Sequence, residues 1–156
     1  AYNLYGTSAL ICPMMDARRN QVYTGVYRFE QEFETVMEPC MMDTRELARE
    51  LNKYGERVIL LGDGVPVNAQ ILKENLEVPF SFAPAQCSRQ RGASVAVLGA
   101  VYFTEGKTET AMEHKPDYLR KAQAERELEE AKRQGKVAEL AAGHSVGDGS
   151  QREGKA

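Results

Sequence analysis

Residues 13–29 read PMMDARRNQVYTGVYRF, and this stretch decides the fold of the chain around it. A short apolar run ends in an acid, Asp16, and a polar corner with the sequence Ala-Arg-Arg-Asn follows. From 21 to 29 the residues alternate between two sides, as in a strand whose two faces differ. One side carries Val22, Thr24 and Val26, and the other carries Tyr23, Tyr27 and Phe29. We therefore predict a β-hairpin with Asp16, Arg18 and Arg19 at its tip.

The charges at this tip admit two interpretations. Two cations beside an anion at a strand end form either a polar functional site or a structural ion pair. No base, metal triad or phosphate loop elsewhere in the sequence makes the tip catalytic. We therefore interpret Asp16, Arg18 and Arg19 as a structural or partner-facing corner.

The first half of the chain predicts three strands and a helix. Strands at 10–15, 21–29 and 35–42 are joined by short connections, which indicates an antiparallel meander. Asp43 and Glu46 have the spacing of a capping box at a helix start, and Gly55 is placed to end that helix. The inward face of this helix is expected to carry Leu47, Leu51 and Tyr54.

Strands and helices alternate in the second half. The all-apolar run 58–61 is typical of a central parallel strand that is covered on both faces. Pro66 suits the first turn of a second helix. The inward face of this helix is expected to carry Val67, Ile71, Leu72 and Leu76. A short apolar segment follows at 78–83. Residues 94–104 are apolar almost all round, which predicts a buried third helix.

The resulting order, β-β-β-α-β-α-β-α, predicts an α/β fold of the ribonuclease-H-like class, with three antiparallel strands and then alternating helices and strands. The same order builds each lobe of the actin, sugar kinase and heat-shock ATPase superfamily, and fold alone does not determine function. We expect residues 10–120 to form this lobe and residues 1–9 to be a linker or the end of a preceding lobe. A charged helix is predicted at 121–140 and a disordered tail at 141–156.

Composition limits the classes of function. The chain has 156 residues and a formal net charge of −3, whereas a protein that grips a nucleic-acid backbone by itself needs a basic surface. No apolar run approaches the ~20 residues that cross a membrane, and no signal peptide is visible. The three cysteines are widely spaced, and Cys12 and Cys40 lie in apolar strand-like runs, which predicts buried free thiols in a reducing compartment. We therefore predict a cytoplasmic protein with free Cys12, Cys40 and Cys87.

An acidic site is the first catalytic alternative. Asp16, Glu46, Glu50 and Asp63 occupy positions that can converge in a ribonuclease-H-like sheet. Carboxylates in one cleft hold Mg²⁺ for phosphoryl transfer or nuclease chemistry. Helix capping explains Glu46 and Asp63 equally well, and the two histidines are too few for a zinc peptidase. We assign no catalytic residue, no metal ligand and no cofactor.

Nucleotide or partner contacts are the remaining alternative. The turn Gly62–Gly64 leads into a helix N-terminus, where backbone amides can hold phosphate, although such glycines often serve only the turn. Arg89 and Arg91 precede the third helix, where cations oppose the helix dipole. We therefore expect these arginines to pair with Asp16 or Asp63. The candidate contact residues are Asp16, Arg18, Arg19, Asp63, Gly64, Arg89 and Arg91.

Four segments carry a resemblance to a known family. PMMDARRNQVYTGVYRF, LLGDGVP, APAQCSRQRGASVAVLGAVY and PDYLRKAQAEREL occur in this order and with matching spacing. They resemble the C-terminal half of the bacterial TsaB family, also called YeaZ, over roughly residues 1 to 128. The first and last of these segments are the most specific.

The resemblance implies a role in making threonylcarbamoyladenosine next to the anticodon of tRNA. It implies a non-catalytic subunit that supports the catalytic subunit TsaD together with the ATPase TsaE, and that meets tRNA only through the complex. A homodimer is left open. Family members carry a first lobe of about a hundred residues, so the resemblance predicts that this chain is a fragment. The charged extension after Leu128 departs from the family pattern.

Overall fold

A five-stranded sheet organises the molecule in a computed structural model that describes residues 1–30, 32–116 and 119. Its strands lie in the order β3-β2-β1-β4-β5. They span Leu10–Asp16 (β1), Gln21–Phe29 (β2), Phe33–Asp43 (β3), Val58–Leu61 (β4) and Phe80–Phe82 (β5). The helices span Thr44–Tyr54 (α1), Gly64–Asn75 (α2) and Gly92–Thr104 (α3).

The pairing of the strands confirms the predicted ribonuclease-H-like order. β1, β2 and β3 pair antiparallel, and β1 pairs parallel with β4, which in turn pairs parallel with β5. The hairpin β1–β2 therefore lies at the centre of the sheet, and its tip lies at the end where β4 leads into α2. This arrangement brings the sequence-predicted tip and the Gly62–Gly64 turn to one edge.

One face of the sheet is covered by α1 and α2. Alternate β1 residues point to this face, and all members of its core are 9% exposed or less. The core residues are Leu10, Cys12, Met14, Val22, Val26, Leu47, Ala48, Leu51, Val58, Leu60, Val65, Leu72, Leu76 and Val78. Burial of these apolar side chains supplies the main driving force for folding.

The ends of α1 follow the local signals in the sequence. The Asp43 side chain accepts a hydrogen bond from the Arg45 amide at 2.8 Å, which satisfies a free donor of the first turn. Gly55 ends the helix with a φ of 67°, in the left-handed region that favours glycine. The Asp43 cap and the Gly55 stop are confirmed, as is the burial of Leu47 and Leu51.

The opposite face of the sheet has a smaller, aromatic core. Ile11, Phe29 and Leu61 are buried there, and Tyr2 and Phe33 pack against them. The Tyr2 ring meets Phe29 and Phe33 edge-on at centroid distances of 5.3 and 5.5 Å, a favoured geometry for aromatic pairs. The first residues of the chain thus pack on the sheet.

Two side-chain predictions for the helices are wrong. In α2 the predicted Leu72 and Leu76 are buried, together with Val65 and Asn68, but the predicted Val67 is 65% exposed. Pro66 lies in the first turn of α2, as predicted, since the helix begins at Gly64. The third helix is not buried: α3 has no buried residue. Although the sequence of α3 is apolar on all sides, the helix does not lie in the core.

β3 is a long edge strand, and edge strands offer unpaired backbone groups to other chains. Glu34, Glu38 and Pro39 are exposed on it. Charged side chains oppose edge-to-edge pairing, and proline removes a donor amide. The sequence of β3 therefore protects this edge of the sheet.

Several predictions fall outside the residues that the structure describes. These are the charged helix at 121–140, the tail at 141–156 and most of the segment 116–120. Within the described ranges, no helix is long and apolar enough to cross a membrane.

Candidate functional site

The tip of the β1–β2 hairpin has an uncommon backbone. Arg18, Arg19 and Asn20 have φ angles of 67°, 54° and 58°, which non-glycine residues seldom adopt. The Ala17 amide donates to the Gln21 carbonyl at 2.9 Å, and the Gln21 amide donates to the Arg18 carbonyl at 3.0 Å. These bonds hold the tip in a single tight turn, and left-handed residues of this kind cluster at functional sites.

Asp16 has a structural role in this turn. Its Oδ1 accepts the Arg18 amide at 2.9 Å, and its Oδ2 pairs with the Arg18 guanidinium at 3.2 Å. The Asp16 side chain is 14% exposed, whereas that of Arg18 is 86% exposed. Arg19 is exposed too, and within the described ranges it makes no ion pair. The tip thus presents two cations to solvent on a rigid turn.

A buried polar network anchors the tip to both helices. The Asn20 carbonyl accepts the Thr44 amide at 2.9 Å. The Thr44 hydroxyl lies 2.9 Å from the Asn20 carbonyl oxygen and 2.9 Å from Asn68 Oδ1. Asn68 Nδ2 donates to the Gly64 carbonyl at 2.8 Å. Because Thr44 and Asn68 are 0% and 1% exposed, this network links the hairpin, α1 and α2 without help from solvent.

Gly62 and Gly64 bring the start of α2 against β1. Gly62 has a φ of 109°, and a Cβ built on it would overlap the Met14 carbonyl oxygen. A Cβ on Gly64 would lie 3.1 Å from that same oxygen. Asp63 stands at the N-cap of α2, but its side chain makes no capping hydrogen bond. The Asp63 side chain, which is exposed, therefore does not cap α2 as the sequence suggested.

A cavity of about 330 Å³ lies between the aromatic face of the sheet and α3. Its wall is mostly apolar, and three of the sequence-predicted residues line it: Asp63, Arg89 and Arg91. The other lining residues include Met14, Tyr27, Phe33, Leu61 and Leu98. Asp16, Arg18, Arg19 and Gly64 do not line it. The predicted contact residues thus divide between the hairpin tip and the cavity.

The predicted ion pairs of Arg89 and Arg91 are not formed. Among residues 1–30, 32–116 and 119, neither arginine pairs with an acid, and Asp16 is engaged by Arg18 instead. The loop that carries Arg89 is held by the Asn3 amide, which donates to the Cys87 and Arg89 carbonyls at 2.9 and 2.6 Å. Both arginines are exposed, so their charges are available at the N-terminal end of α3.

The acidic alternative finds no geometric support. Glu50 pairs with Lys53 at 2.5 Å, and Asp16 pairs with Arg18. In the part of the chain that the structure describes, no three His, Cys, Asp or Glu side chains are grouped so that they could hold a metal ion. Asp16, Glu46, Glu50 and Asp63 therefore do not converge on a common cation site.

Sequence reasoning missed three residues of this region: Asn3, Thr44 and Asn68. The partners of Asn3 and Thr44, and the contact between Asn68 and Thr44, are 24 or more positions away, so no local pattern marks these contacts. Asn68 carried one usable signal, because it lies four residues after Gly64 on the helix and its amide reaches the Gly64 carbonyl.

Cys12 is completely buried, and its thiol is held in the protonated form. Complete burial raises the pKa of Cys12 to about 12, because desolvation disfavours the thiolate; a hydrogen-bond partner, Thr24, lowers it in part. Cys40 and Cys87 are only half-buried. The prediction that Cys12 is a buried free thiol is confirmed, whereas Cys40 is less buried than its apolar surroundings predict.

We expect a thiol reagent at pH 8 to modify Cys12 at least about tenfold more slowly than Cys87, because the thiolate is the reactive species. Mass spectrometry of the native chain over time measures each rate. In denaturant all three thiols should react alike. Equal labelling of Cys12 and Cys87 in the native chain would contradict the buried position of Cys12.

Comparison with known proteins identifies the family of this chain. The chain is 31% identical over 122 residues to the tRNA threonylcarbamoyladenosine biosynthesis protein TsaB of Bacillus subtilis (strain 168). The chain belongs to the TsaB (YeaZ) family. The match covers 74% of this chain and 49% of the relative, so the chain spans about half the length of that TsaB protein. A scan against protein-family models found no match.

Solved structures support the fold of this TsaB-family chain. An uncharacterized Pseudomonas aeruginosa protein with similarity to peptidase YeaZ matches with a TM-score of 0.58 and 20% identity. The match covers 77% of this chain and 53% of the neighbouring structure's chain. YeaZ from Pseudomonas aeruginosa matches with a TM-score of 0.54 and 18% identity, over 76% and 53% of the two chains. The identities are low, so these neighbours establish the shared fold alone.

Proposed function

We propose that this chain acts in tRNA threonylcarbamoyladenosine biosynthesis as a non-catalytic, TsaB-type subunit. In this role it supports a TsaD-like catalytic subunit, together with a TsaE-like ATPase, in threonylcarbamoyl transfer to the adenosine next to the anticodon. The observation that carries the proposal is the 31% identity to the Bacillus subtilis TsaB protein over 122 residues. The chain corresponds to the C-terminal lobe of such a protein, and tRNA is reached through the complex.

The hairpin tip supports a partner-facing role in the cytoplasmic complex. Arg18 and Arg19 project from a turn that is anchored by Thr44 and Asn68. A rigid turn loses little conformational freedom when it binds. Exposed cations on such a turn favour an acidic surface on the partner, and charges of this kind govern the association rate and the choice of partner.

The test is binding to a TsaD-like subunit and synthesis of the modified nucleoside. Two proteins are compared, the 156-residue chain and the same chain joined to the first lobe of the Bacillus subtilis relative. Each is mixed with TsaD-like and TsaE-like proteins, tRNA and substrates, and the nucleoside is measured by mass spectrometry. We expect the joined protein to bind the TsaD-like subunit and to stimulate modification. Failure of the joined protein in both assays would refute the proposal.

Charge reversal at the tip tests the contact itself. We expect Arg19→Glu in the joined protein to weaken binding to the TsaD-like subunit by about tenfold, as loss of a complementary rim charge does. Lys73→Glu is the matched control, because Lys73 is an exposed cation on α2, away from the tip. If the two variants bound equally well, Arg19 would not contact the partner. The proposed function would then still be tested by the modification assay.

A further inference from the structure

A pocket of about 320 Å³ lies where the connection between β2 and β3 meets the C-terminal end of α3. Among the described residues, five aromatic side chains line it: Tyr2, Tyr5, Phe29, Phe33 and Tyr102. We call this cavity the aromatic pocket. The Tyr5 ring meets Phe29 edge-on at a centroid distance of 5.0 Å, and Phe29 lies 5.0 Å from Phe33. Rings from the start of the chain and from the β2–β3 hairpin thus form one connected wall.

The aromatic pocket also has acidic side chains. Glu30, Glu32 and Glu105 line it, together with Lys107. Glu30 pairs with Arg28 at 3.2 Å, and Glu105 pairs with Lys107 at 2.8 Å. Glu32 is exposed and forms no salt bridge with any other residue that the structure describes. The negative charge of Glu32 is therefore available beside the rings.

An ammonium group of the chain itself already lies at this pocket. Lys107 Nζ is 5.5 Å from the centroid of the Tyr102 ring, over its face, and 2.8 Å from a Glu105 carboxylate oxygen. The hydrogen bond to Glu105 and the charge of Glu105 raise the pKa of Lys107, and the charge of Glu32 acts in the same direction. A cation held between an aromatic face and a carboxylate is the arrangement of a cation–π site. The volume of about 320 Å³ is free with this lysine in place.

An acidic cavity adjoins the aromatic pocket. It is lined by Glu30, Glu32, Phe33 and Glu34, and the first three of these also line the aromatic pocket. Glu34 makes no salt bridge within the described ranges, since Arg28, which lies opposite it on β2, pairs with Glu30 and Glu56 instead. Glu32 and Glu34 are two positions apart, which separates them by about 6–7 Å in an extended chain. Two available carboxylates thus lie a short distance apart beside a wall of rings.

We propose that the aromatic pocket and the adjoining acidic cavity bind a linear aliphatic polyamine, a chain of methylene groups that carries two or more ammonium groups. One ammonium lies against the rings beside Glu32, as that of Lys107 lies over Tyr102. The methylene groups of the ligand contact the rings, and the next ammonium pairs with Glu34. A spacer of about four methylene groups suits the separation of two residues at i and i+2 of a strand.

The same residues disfavour other classes of small ligand. A divalent metal ion needs several oxygen ligands at once, and the described part of the chain has no group of three His, Cys, Asp or Glu side chains that could supply them. An anion would be repelled by Glu32 and Glu34. Aromatic faces attract organic cations, and two separate carboxylates favour a ligand with more than one charge.

Calorimetric titration of the 156-residue chain with spermidine, at constant ionic strength, tests the proposal. We expect saturable binding of one spermidine per chain. Butylamine has a single ammonium and leaves one carboxylate unpaired, so it should bind at least about tenfold more weakly. Magnesium chloride at the same concentration should not displace spermidine. If spermidine bound no more tightly than butylamine, or if Mg²⁺ displaced it, general attraction of counterions would replace the proposed site.

Two substitutions test the rings and the carboxylate separately. Tyr102→Leu and Glu32→Gln should each weaken spermidine binding by about fivefold, through loss of a cation–π contact and of an ion pair. Phe103→Leu and Glu77→Gln are the matched controls, because both residues are exposed and neither lines the pocket. Far-UV spectra check that each variant keeps the fold. Equal losses in the control variants and the pocket variants would refute the assignment.

Removal of the internal ammonium gives a result that a purely structural role would not produce. Lys107→Gln leaves Glu105 and the Tyr102 face available to the ligand, so the affinity for spermidine should rise by about threefold. Lys53→Gln, which removes an exposed lysine paired with Glu50 on α1, is the control for the change in net charge and should have a smaller effect. An affinity that did not rise more in Lys107→Gln than in Lys53→Gln would overturn the placement of the ligand in this pocket.

Discussion

Replacement of Gly62 by alanine is expected to destabilise the protein by about 3 kcal/mol or more, as steric overlap at a special backbone position does. Gly62 follows β4 with a φ of 109°, in a region that L-residues rarely adopt. A Cβ there would overlap the Met14 carbonyl oxygen and lie 2.9 Å from the Met14 carbonyl carbon. These atoms are backbone atoms of the central strand, so the clash cannot be relieved by a side-chain rotation.

Gly55→Ala is the matched control for this prediction. Gly55 has a similar left-handed backbone, with a φ of 67°, but nothing lies within 4 Å of a Cβ built on it. Its loss should therefore cost only the conformational penalty, about 1 kcal/mol. Urea denaturation of both variants gives the free energies of unfolding. If the two substitutions lowered stability equally, the close approach of β4 to β1 at Gly62 would be wrong.

The second large effect is expected at Thr44. Thr44→Val keeps the shape of the side chain but removes the hydroxyl that lies 2.9 Å from Asn68 Oδ1 and from the Asn20 carbonyl oxygen. Asn68 is 1% exposed, so its carbonyl oxygen would lose its donor without gaining water. An unsatisfied buried polar group costs about 1–3 kcal/mol, and we expect a loss of stability in this range.

Thr44→Ser separates the hydroxyl from the methyl group. Serine keeps the hydroxyl, which can donate its one hydrogen to Asn68 Oδ1 or to the Asn20 carbonyl, and should retain most of the stability that Thr44→Val loses. Hydrogen exchange provides a second readout, since the Thr44 amide donates to the Asn20 carbonyl and should exchange faster in the valine variant. If serine and valine proved equally destabilising, packing of the methyl group rather than the polar network would anchor the hairpin tip.

The hydrogen bonds of Thr44 and Asp16 explain why the hairpin tip keeps its strained backbone. Three consecutive left-handed residues, Arg18–Asn20, are unfavourable for an isolated turn. The Thr44 bonds to Asn20 and the Asp16 bonds to Arg18 compensate for this strain. The tip is consequently a preformed surface rather than an adaptable loop, in keeping with a partner-facing role.

The sequence by itself determined the order of the elements, the hairpin, the Asp43 cap, the Gly55 stop and the family. These features depend on alternation, helix signals and local motifs, which act between residues close in sequence. Only the tertiary structure decided the exposure of α3, the lack of an acidic partner for Arg89 and Arg91 among the residues that the structure describes, and the Thr44–Asn68 network. The composition of a helix determines whether its burial is favourable, but the helix is buried only if another surface of the folded chain packs against it. Likewise a charge or a polar group finds its partner through contacts between distant segments, which only the folded chain brings together.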